Sequence, residues 1–183
     1  MAENWRLRKT VALIGLMGAG KTAVGRSLAA KLGAPFQDSD DAIEEAAAMS
    51  VHEIFELYGE PFFRDRETEV IARLLDGPPA VLSTGGGAWI NEATRAQISR
   101  RATVVWLDPP VELLWQRVRH RDTRPLLRAA DPRGVLQRLH DERAPIYALA
   151  EHRLRVTGER DISETADAVI ELLARAPDAL EAA

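Results

Sequence analysis

The strongest constraint on the fold of this chain is an eight-residue motif, Gly15-Leu16-Met17-Gly18-Ala19-Gly20-Lys21-Thr22. It matches the pattern G-x-x-x-x-G-K-[ST], which requires a strand before it and a helix after it. The preceding residues 10–14 are a short apolar run typical of a buried parallel strand. After the motif, apolar residues recur at helical spacing, and Gly33 is placed to end the helix. The motif therefore lies at a predicted strand-to-helix turn.

This turn is suited to binding a polyphosphate. Gly15, Gly18 and Gly20 allow backbone conformations that aim N–H groups at an anion, and the dipole of the next helix points to the same place. Lys21 would reach the terminal phosphates, and the Thr22 hydroxyl would ligate a bridging magnesium ion. A glycine-rich turn with a surface lysine is the alternative, but strand, turn and helix in register favour nucleotide binding.

The composition excludes several functional classes. The 183 residues include 24 Lys+Arg and 28 Asp+Glu, and this net charge of -4 argues against nucleic acid as a main partner. Cysteine is absent, so neither a disulfide nor a thiolate metal site is expected. The sequence shows no signal-peptide pattern at its start and no run of membrane-spanning length. We therefore expect a cytoplasmic protein with no membrane partner.

Five short apolar runs alternate with helical patterns, and this alternation predicts an α/β fold with a parallel sheet and helices on both faces. The runs are residues 10–14, 35–37, 80–84, 103–107 and 154–156. The clearest helix is the last, where Asp161 and Glu164 resemble a capping box. An apolar stripe follows this box: Ile162, Ala166, Val169, Ile170 and Leu173.

The chain length favours one domain, which we place at residues 1–176. Residues 177–183 are small, polar or alanine-rich, so we expect a frayed, flexible tail. Residues 38–79 have helical patterns without a strand, and this segment is far longer than a crossover helix needs. We interpret it as a substrate-binding insertion. Residues 119–131 are rich in arginine with little periodicity, which is typical of a lid.

Eight arginines against four acids give residues 117–143 a local positive charge. A solvated helix face and loop account for Arg119, Arg121, Arg128, Arg133 and Arg138. A closing lid, however, brings positive charge onto a transferring phosphate. We expect Arg124 and Arg143 to serve the site.

Two acids, Asp38 and Asp40, follow the second strand, which places them at the carboxyl edge of the sheet, where open α/β sheets bind ligands. In an extended segment, side chains two residues apart share a side, so both acids can face one site. Phosphoryl transfer needs one acid near magnesium and one that accepts the hydrogen bond of the acceptor hydroxyl. We assign the first role to Asp38 and the second to Asp40. The alternative for Asp40 is an N-cap of the next helix.

Two further features point to the same edge. Arg64 and Glu67 form an i,i+3 pair on a predicted helix, either as a surface ion pair or with the glutamate holding the arginine toward the site. Gly85-Gly86-Gly87 follows the third strand. Glycines there leave N–H groups open to a ligand that approaches closely, although a flexible turn is the alternative.

Six motifs stand in order along the chain. They are residues 15–22, Asp38-Ser39-Asp40, Phe63-Arg64, Gly85-Gly86-Gly87, Thr123-Arg124-Pro125-Leu126-Leu127 and Arg143-Ala144-Pro145-Ile146-Tyr147. In order and spacing this set resembles the shikimate kinase family, over roughly residues 10–173. The resemblance implies a three-layer αβα P-loop kinase fold with a five-stranded parallel sheet. It also implies ATP-dependent phosphorylation of the 3-hydroxyl of shikimate, which gives shikimate 3-phosphate and ADP on the route to chorismate and aromatic amino acids.

The resemblance implies roles for single residues. In the family, the positions of Asp40, Arg64, Gly86 and Arg143 bind shikimate, with the acid at the 3-hydroxyl and the arginines at the ring carboxylate. A planar guanidinium fork suits that carboxylate. The residues expected to serve catalysis are Lys21, Asp40 and Arg124, and those expected to bind Mg²⁺ are Thr22 and, through water, Asp38. The residues expected to bind ATP are Gly18, Ala19, Gly20, Lys21, Thr22, Ala23, Arg117, Arg124 and Arg160, with Arg117 and Arg160 near the adenine. The residues expected to bind shikimate are Asp40, Arg64, Gly85, Gly86, Gly87 and Arg143.

Three alternative functions remain open at this point. A related small-molecule kinase such as gluconate kinase also phosphorylates a hydroxy acid, but it is not expected to carry Phe63-Arg64 with the glycine triplet and Arg143. A regulatory GTPase would carry an Asn-Lys-x-Asp guanine motif, which the sequence lacks. A catalytically silent nucleotide-binding module would not need Lys21, Thr22 and Asp40 intact. We expect an active kinase that uses ATP and Mg²⁺ as a monomer.

Overall fold

The structure is a computed structural model, and it describes residues 4–121, 128–176 and 178–183. These residues form seven strands and seven α-helices. The strands are β1 (Trp5–Leu7), β2 (Thr10–Ile14), β3 (Phe36–Asp38), β4 (Val81–Ser83), β5 (Ala102–Asp108), β6 (His152–Arg155) and β7 (Leu180–Ala182). The helices are α1 (Lys21–Leu32), α2 (Ser39–Ala47), α3 (Val51–Leu75), α4 (Glu92–Arg101), α5 (Val111–Val118), α6 (Pro132–Tyr147) and α7 (Ile162–Ala174).

The main sheet has five parallel strands in the order β3-β4-β2-β5-β6. Every residue of β2 and β5 is buried, which means that both faces of the sheet are covered. Strands buried on both faces are apolar throughout instead of alternating, and this is why they appear in the sequence as continuous runs. The predicted α/β fold with five parallel strands is confirmed.

Local signals set the ends of the two helices that pack together beside the sheet, α1 and α7. Helix α1 ends at Gly33, whose φ of 58° is left-handed, as the sequence predicts. Helix α7 begins with the predicted capping box of Asp161 and Glu164. The predicted stripe is wrong at Ile162, which is 52% exposed because it lies in the first turn and faces the cavity described below.

Helices α2 and α3 fill most of the predicted insertion at residues 38–79. They bury a small apolar cluster of their own, formed by Ile43, Ile54, Phe63 and Val70. A segment that carries its own core keeps its shape beside the sheet, so it can present side chains toward the sheet edge. The predicted lid at residues 119–131 includes residues 122–127, which lie outside the described residues.

The prediction of a frayed tail is wrong for residues 178–183. Strand β7 pairs antiparallel with β1, with Leu7 opposite Leu180 and Trp5 opposite Ala182. The Ala183 N–H also donates to the Asn4 carbonyl at 2.6 Å, and Leu180 is only 5% exposed. A three-residue strand carries no readable period, and its partner lies at the other end of the chain, so the sequence near the tail could not reveal the pairing.

Replacing Leu180 by alanine should lower the free energy of unfolding by about 2 kcal/mol, because the leucine side chain is buried against the main core. Urea denaturation followed by circular dichroism measures this change. The matched control is Glu181→Ala on the same strand, whose side chain is 48% exposed and which should change stability by less than ~0.5 kcal/mol. Equal stability of the two variants would contradict a packed tail.

Candidate active site

Three loops meet at one edge of the main sheet. Strands β2, β3 and β4 end at this edge, and β4 lies between the other two. The phosphate motif follows β2, the acids begin at the end of β3, and the glycine triplet follows β4. Together with α5 and the start of α7 they enclose a cavity of about 980 Å³. Its wall is formed by Met17, Gly18, Ala19, Gly20, Lys21, Thr22, Ala23, Val24, Arg26, Asp38, Asp40, Thr84, Gly85, Gly86, Arg117, Arg121, Val156, Arg160, Asp161, Ile162 and Thr165.

The phosphate motif presents an open helix terminus to this cavity. Helix α1 begins at Lys21, and its N-cap, Gly20, has a φ of 95° and no side chain with which to cap the helix. The first N–H groups of α1 therefore stay available to an anion. The Lys21 ammonium lies within the loop, where Nζ donates to the carbonyls of Gly15 at 2.7 Å and Leu16 at 3.0 Å. Backbone donors and a fixed cation thus converge on one point.

Two arginines predicted to lie near adenine also line the cavity. The Nη1 group of Arg117 donates to the Gly18 carbonyl at 3.0 Å, which ties α5 to the phosphate motif. Partial burial lowers the pKa of Arg117. Arg160 reaches the same cavity from the loop before α7. A guanidinium plane held in this way offers a flat surface on which an aromatic base can stack.

Thr22 and Asp38 come together as a set of oxygen ligands. The Thr22 hydroxyl donates to Asp38 Oδ2 at 3.0 Å and lies 3.4 Å from the Ser83 hydroxyl. The other carboxylate oxygen of Asp38 accepts from the N–H groups of Asp40 and Asp41 at 2.9 and 3.2 Å. Asp38 is therefore the N-cap of α2, and the alternative that Asp40 caps this helix is wrong.

These oxygen ligands fit a magnesium ion that keeps most of its water. Hydroxyl and carboxylate oxygens are the donors that Mg²⁺ prefers, and the ion commonly takes only one or two of them from the protein. No cluster of three or more His, Asp or Glu side chains with metal-binding geometry occurs in the described part of the chain. A metal here would depend on Thr22, Asp38, water and the phosphates themselves.

Asp40 lies in the first turn of α2 and not on an extended segment, so the predicted geometry for the two acids is wrong. Both acids nevertheless line the cavity, because the chain turns into the helix directly after Asp38. Burial, and to a lesser degree the charge of Asp38, raise the pKa of Asp40 to about 6, while Lys21 and Arg64 oppose this rise. Asp40 is thus a partly buried carboxyl group near two cations.

Arg64 is held by a fully buried partner. Its Nη1 group donates at 2.7 Å to Oε1 of Glu67, whose side chain has no exposed surface, so the interpretation as a surface ion pair is wrong. Burial raises the pKa of Glu67, and the charge of Arg64 opposes the rise. The second oxygen, Oε2, has no hydrogen-bond partner among the described residues. A side chain on Gly87 would collide with the Arg64 guanidinium, which shows how closely the arginine approaches the glycine triplet.

The glycine triplet forms a turn that is anchored at both ends. The Gly85 N–H donates to the buried Ser39 hydroxyl at 3.0 Å. The Gly86 carbonyl accepts from the Tyr147 hydroxyl at 2.6 Å and from Arg143 Nη1 at 3.3 Å. A Cβ on Gly85 would lie 2.8 Å from Asp40 Oδ1, so only glycine fits between the turn and the acid.

The structure brings nearly all predicted site residues to this cavity. Those that line it are Gly18, Ala19, Gly20, Lys21, Thr22, Ala23, Asp38, Asp40, Gly85, Gly86, Arg117 and Arg160. Gly87 belongs to the glycine turn, and Arg64 and Arg143 contact that turn, as described above. Arg124 lies outside the described residues, and its role stays a prediction.

Among the residues of the site that are not in the predicted set are two arginines of the cavity wall and two hydroxyl-bearing residues that hold the glycine turn. Arg121, which we interpreted as solvated, lines the cavity, as does Arg26. Arg26 follows Thr22 by one helical turn, a spacing that could have indicated it. Ser39 lies between the two acids, and Tyr147 follows Arg143 by one turn of α6, but nothing in the sequence shows that their hydroxyls hold the glycine turn.

Known proteins resemble this chain over nearly its whole length. A protein family model described as "Shikimate kinase" matches residues 17–174. A shikimate kinase from Ruegeria pomeroyi is 57% identical over 175 residues, which are 96% of this chain and 90% of that protein. The structure of shikimate kinase from Acinetobacter baumannii in complex with shikimate superimposes with a TM-score of 0.86 at 38% identity, covering 92% of this chain and 94% of the other.

A gluconokinase from Sinorhizobium meliloti superimposes with a TM-score of 0.61 at 17% identity, covering 93% of this chain and 94% of the other. At that identity the likeness shows the shared fold alone. A match to the family model over most of the chain, with relatives above half identity, is far more specific. The chain belongs to the shikimate kinase family.

Proposed function

We propose that this chain transfers the terminal phosphoryl group of ATP to the 3-hydroxyl of shikimate, giving shikimate 3-phosphate and ADP. One observation carries the proposal: Asp40, Arg64 and Arg143 surround a single glycine turn, and that turn adjoins the phosphate motif. A carboxylate-bearing alcohol bound there would present its hydroxyl to the phosphates beside Lys21. The alternatives of a gluconate kinase or a silent module have no comparable support in the site.

On the nucleotide side, the open N-terminus of α1 and the Lys21 ammonium neutralise phosphate charge. Preorganised donors of this kind stabilise charge that develops during transfer without having to reorient. Arg117 and Arg160 flank the base, and Arg124, which lies outside the described residues, adds positive charge at the phosphates. Thr22, and Asp38 through water, would hold Mg²⁺, which would supply further neutralisation of phosphate charge.

On the acceptor side, Arg64 and Arg143 bind the ring carboxylate, and the free N–H groups of the glycine turn complete the pocket. Asp40 accepts the hydrogen bond of the 3-hydroxyl and aims its oxygen at the terminal phosphorus. Since transfer passes through a loose transition state, this orientation matters more than early removal of the proton. The insertion at residues 38–79 supplies Asp40 and Arg64, so it is the substrate-binding segment.

We further propose that the enzyme acts as a monomer in the cytoplasm. The lack of cysteine is compatible with a reducing compartment. Among the described helices none is long and apolar enough to cross a membrane.

Replacing Lys21 by alanine should lower kcat about 100-fold or more, because a fixed cation at the phosphates is lost. Coupled measurement of ADP release with shikimate and ATP gives the rate, and circular dichroism checks the fold. The control is Lys31→Ala on the same helix, where the ammonium pairs with Asp167 at 2.8 Å and should leave the rate unchanged. A Lys21 variant as fast as this control would remove the lysine from the mechanism.

Replacing Arg143 by alanine should raise the KM for shikimate about 10- to 100-fold and leave the KM for ATP nearly unchanged, because a charged hydrogen bond to the acceptor is lost. Arg143 is a cleaner test than Arg64, since truncating Arg64 also strands the buried Glu67 carboxylate. Arg138→Ala, an exposed position on the same helix, is the control. A rise in the KM for ATP instead would mean that the two subsites are exchanged.

Replacing Asp38 by asparagine should raise the Mg²⁺ concentration needed for half-maximal rate about tenfold. Asparagine keeps the oxygen that caps α2, so the helix start is retained while the negative charge is removed. The measurement is a Mg²⁺ titration of the rate at saturating ATP and shikimate. Asp41→Asn, in the same turn, serves as control, and an identical titration curve for both variants would exclude Asp38 from the metal site.

A further inference from the structure

The carboxyl end of α6 is hydrogen-bonded to the glycine turn at several points. Tyr147 donates from its hydroxyl to the Gly86 carbonyl at 2.6 Å, and Trp89 Nε1 donates back to the Ile146 carbonyl at 2.8 Å. Both side chains are buried, at 2% and 1% exposure. Arg143, one helical turn before Tyr147, reaches the same Gly86 carbonyl at 3.3 Å. Loop and helix therefore form one unit with fixed geometry.

This anchoring decides which groups of the turn remain available to a ligand. The Gly85 N–H is taken by Ser39, and the Ala88 N–H donates to the Gly85 carbonyl at 3.1 Å. The N–H groups of Gly86 and Gly87 have no acceptor among the residues that the structure describes. The two donors that remain are therefore the N–H groups of Gly86 and Gly87. Along the chain they stand on either side of the Gly86 carbonyl, which accepts from Tyr147.

Holding a carbonyl also fixes the N–H of the same peptide group. Because a trans peptide is planar, the Gly87 N–H points opposite to the Gly86 carbonyl, and hence away from Tyr147 and α6. Glycine peptides rotate more readily than others, so without an anchor this donor would adopt several directions. The Tyr147 bond selects one of them.

Tyr147 is built for this task. Its ring packs against Trp106 with centroids 5.8 Å apart, so the aromatic part is fixed by the core. Burial raises the pKa of the Tyr147 hydroxyl, and the charges of Arg143 and Arg64 oppose that rise. The neutral hydroxyl keeps the proton that it donates to the Gly86 carbonyl. The guanidinium of Arg143 donates to the same carbonyl, so the two side chains share one acceptor.

We propose that Tyr147 is a positioning residue for the acceptor subsite: its hydroxyl orients the Gly86–Gly87 peptide and keeps Arg143 beside it, so that both meet the carboxylate-bearing substrate correctly. The inference rests on the proposed function, because it names the residue that prepares the shikimate subsite. Tyr147 itself does not touch the substrate. Trp89 supports the same arrangement from the other side of the contact between loop and helix.

The test is Tyr147→Phe, which removes the hydroxyl and keeps the ring. Loss of about one net hydrogen bond that orders the subsite should raise the Kd and KM for shikimate about three- to tenfold, with the KM for ATP within about twofold of wild type. Calorimetric titration with shikimate alone gives the Kd independently of catalysis, and ADP release gives both KM values. Tyr58→Phe is the matched control: the same change at a tyrosine that is 53% exposed and outside the cavity.

A Tyr147→Phe protein with the same Kd and KM for shikimate as Tyr58→Phe would overturn the inference, as would an equal rise in both KM values, which indicates general loss of packing. If Tyr147→Phe does not fold, Trp89→Phe tests the same contact between the glycine turn and α6, because it removes the hydrogen bond to the Ile146 carbonyl. This variant should raise the Kd for shikimate and leave the KM for ATP unchanged. Wild-type protein that neither binds nor phosphorylates shikimate would refute the proposed function, and the inference with it. An active wild type with an unaffected Tyr147→Phe variant would refute the inference alone.

Discussion

The order of three neighbouring strands determines the layout of the whole site. Since β4 lies between β2 and β3, the glycine turn that follows β4 must lie between the phosphate motif and the acids. A turn in that place is crowded from both sides, and side chains there would collide with Asp40 or Arg64. The close approach of Gly85 to Asp40 and of Gly87 to Arg64 thus follows from the strand order, whereas a Cβ on Gly86 would meet only ordinary contacts at 3.7 Å or more.

The Arg64–Glu67 pair joins a fully buried carboxylate to a guanidinium that is only partly exposed. Taking two charges out of water costs more than a hydrophobic pair of equal volume, so a buried ion pair is poor evidence of a stabilising role. Glu67 has no exposed surface, and one of its oxygens has no partner among the described residues. Its presence is better explained by the fixed direction that it gives to the guanidinium beside the glycine turn.

Much of the fold and the site could be predicted because their signals are local. The phosphate motif, the end of α1 at Gly33 and the capping box of α7 each depend on residues within a few positions of one another. The missed features depend on partners far apart in sequence. The burial of Glu67, the bond from Tyr147 to Gly86 and the pairing of β1 with β7 arise only once α3, α6 and the chain ends have packed. Periodicity and motif spacing contain no information on such contacts.

The pairing of β1 with β7 brings residues 5–7 and 180–182 together at the edge of the sheet opposite the cavity. Leu7 is followed almost directly by the amino end of β2, whereas all ligand-facing loops follow the carboxyl ends of the strands. A hydrogen bond between Ala183 and Asn4 leaves these two residues close enough for a short linker to join them. The fold is therefore suited to circular permutation, because such a linker would lie away from the cavity.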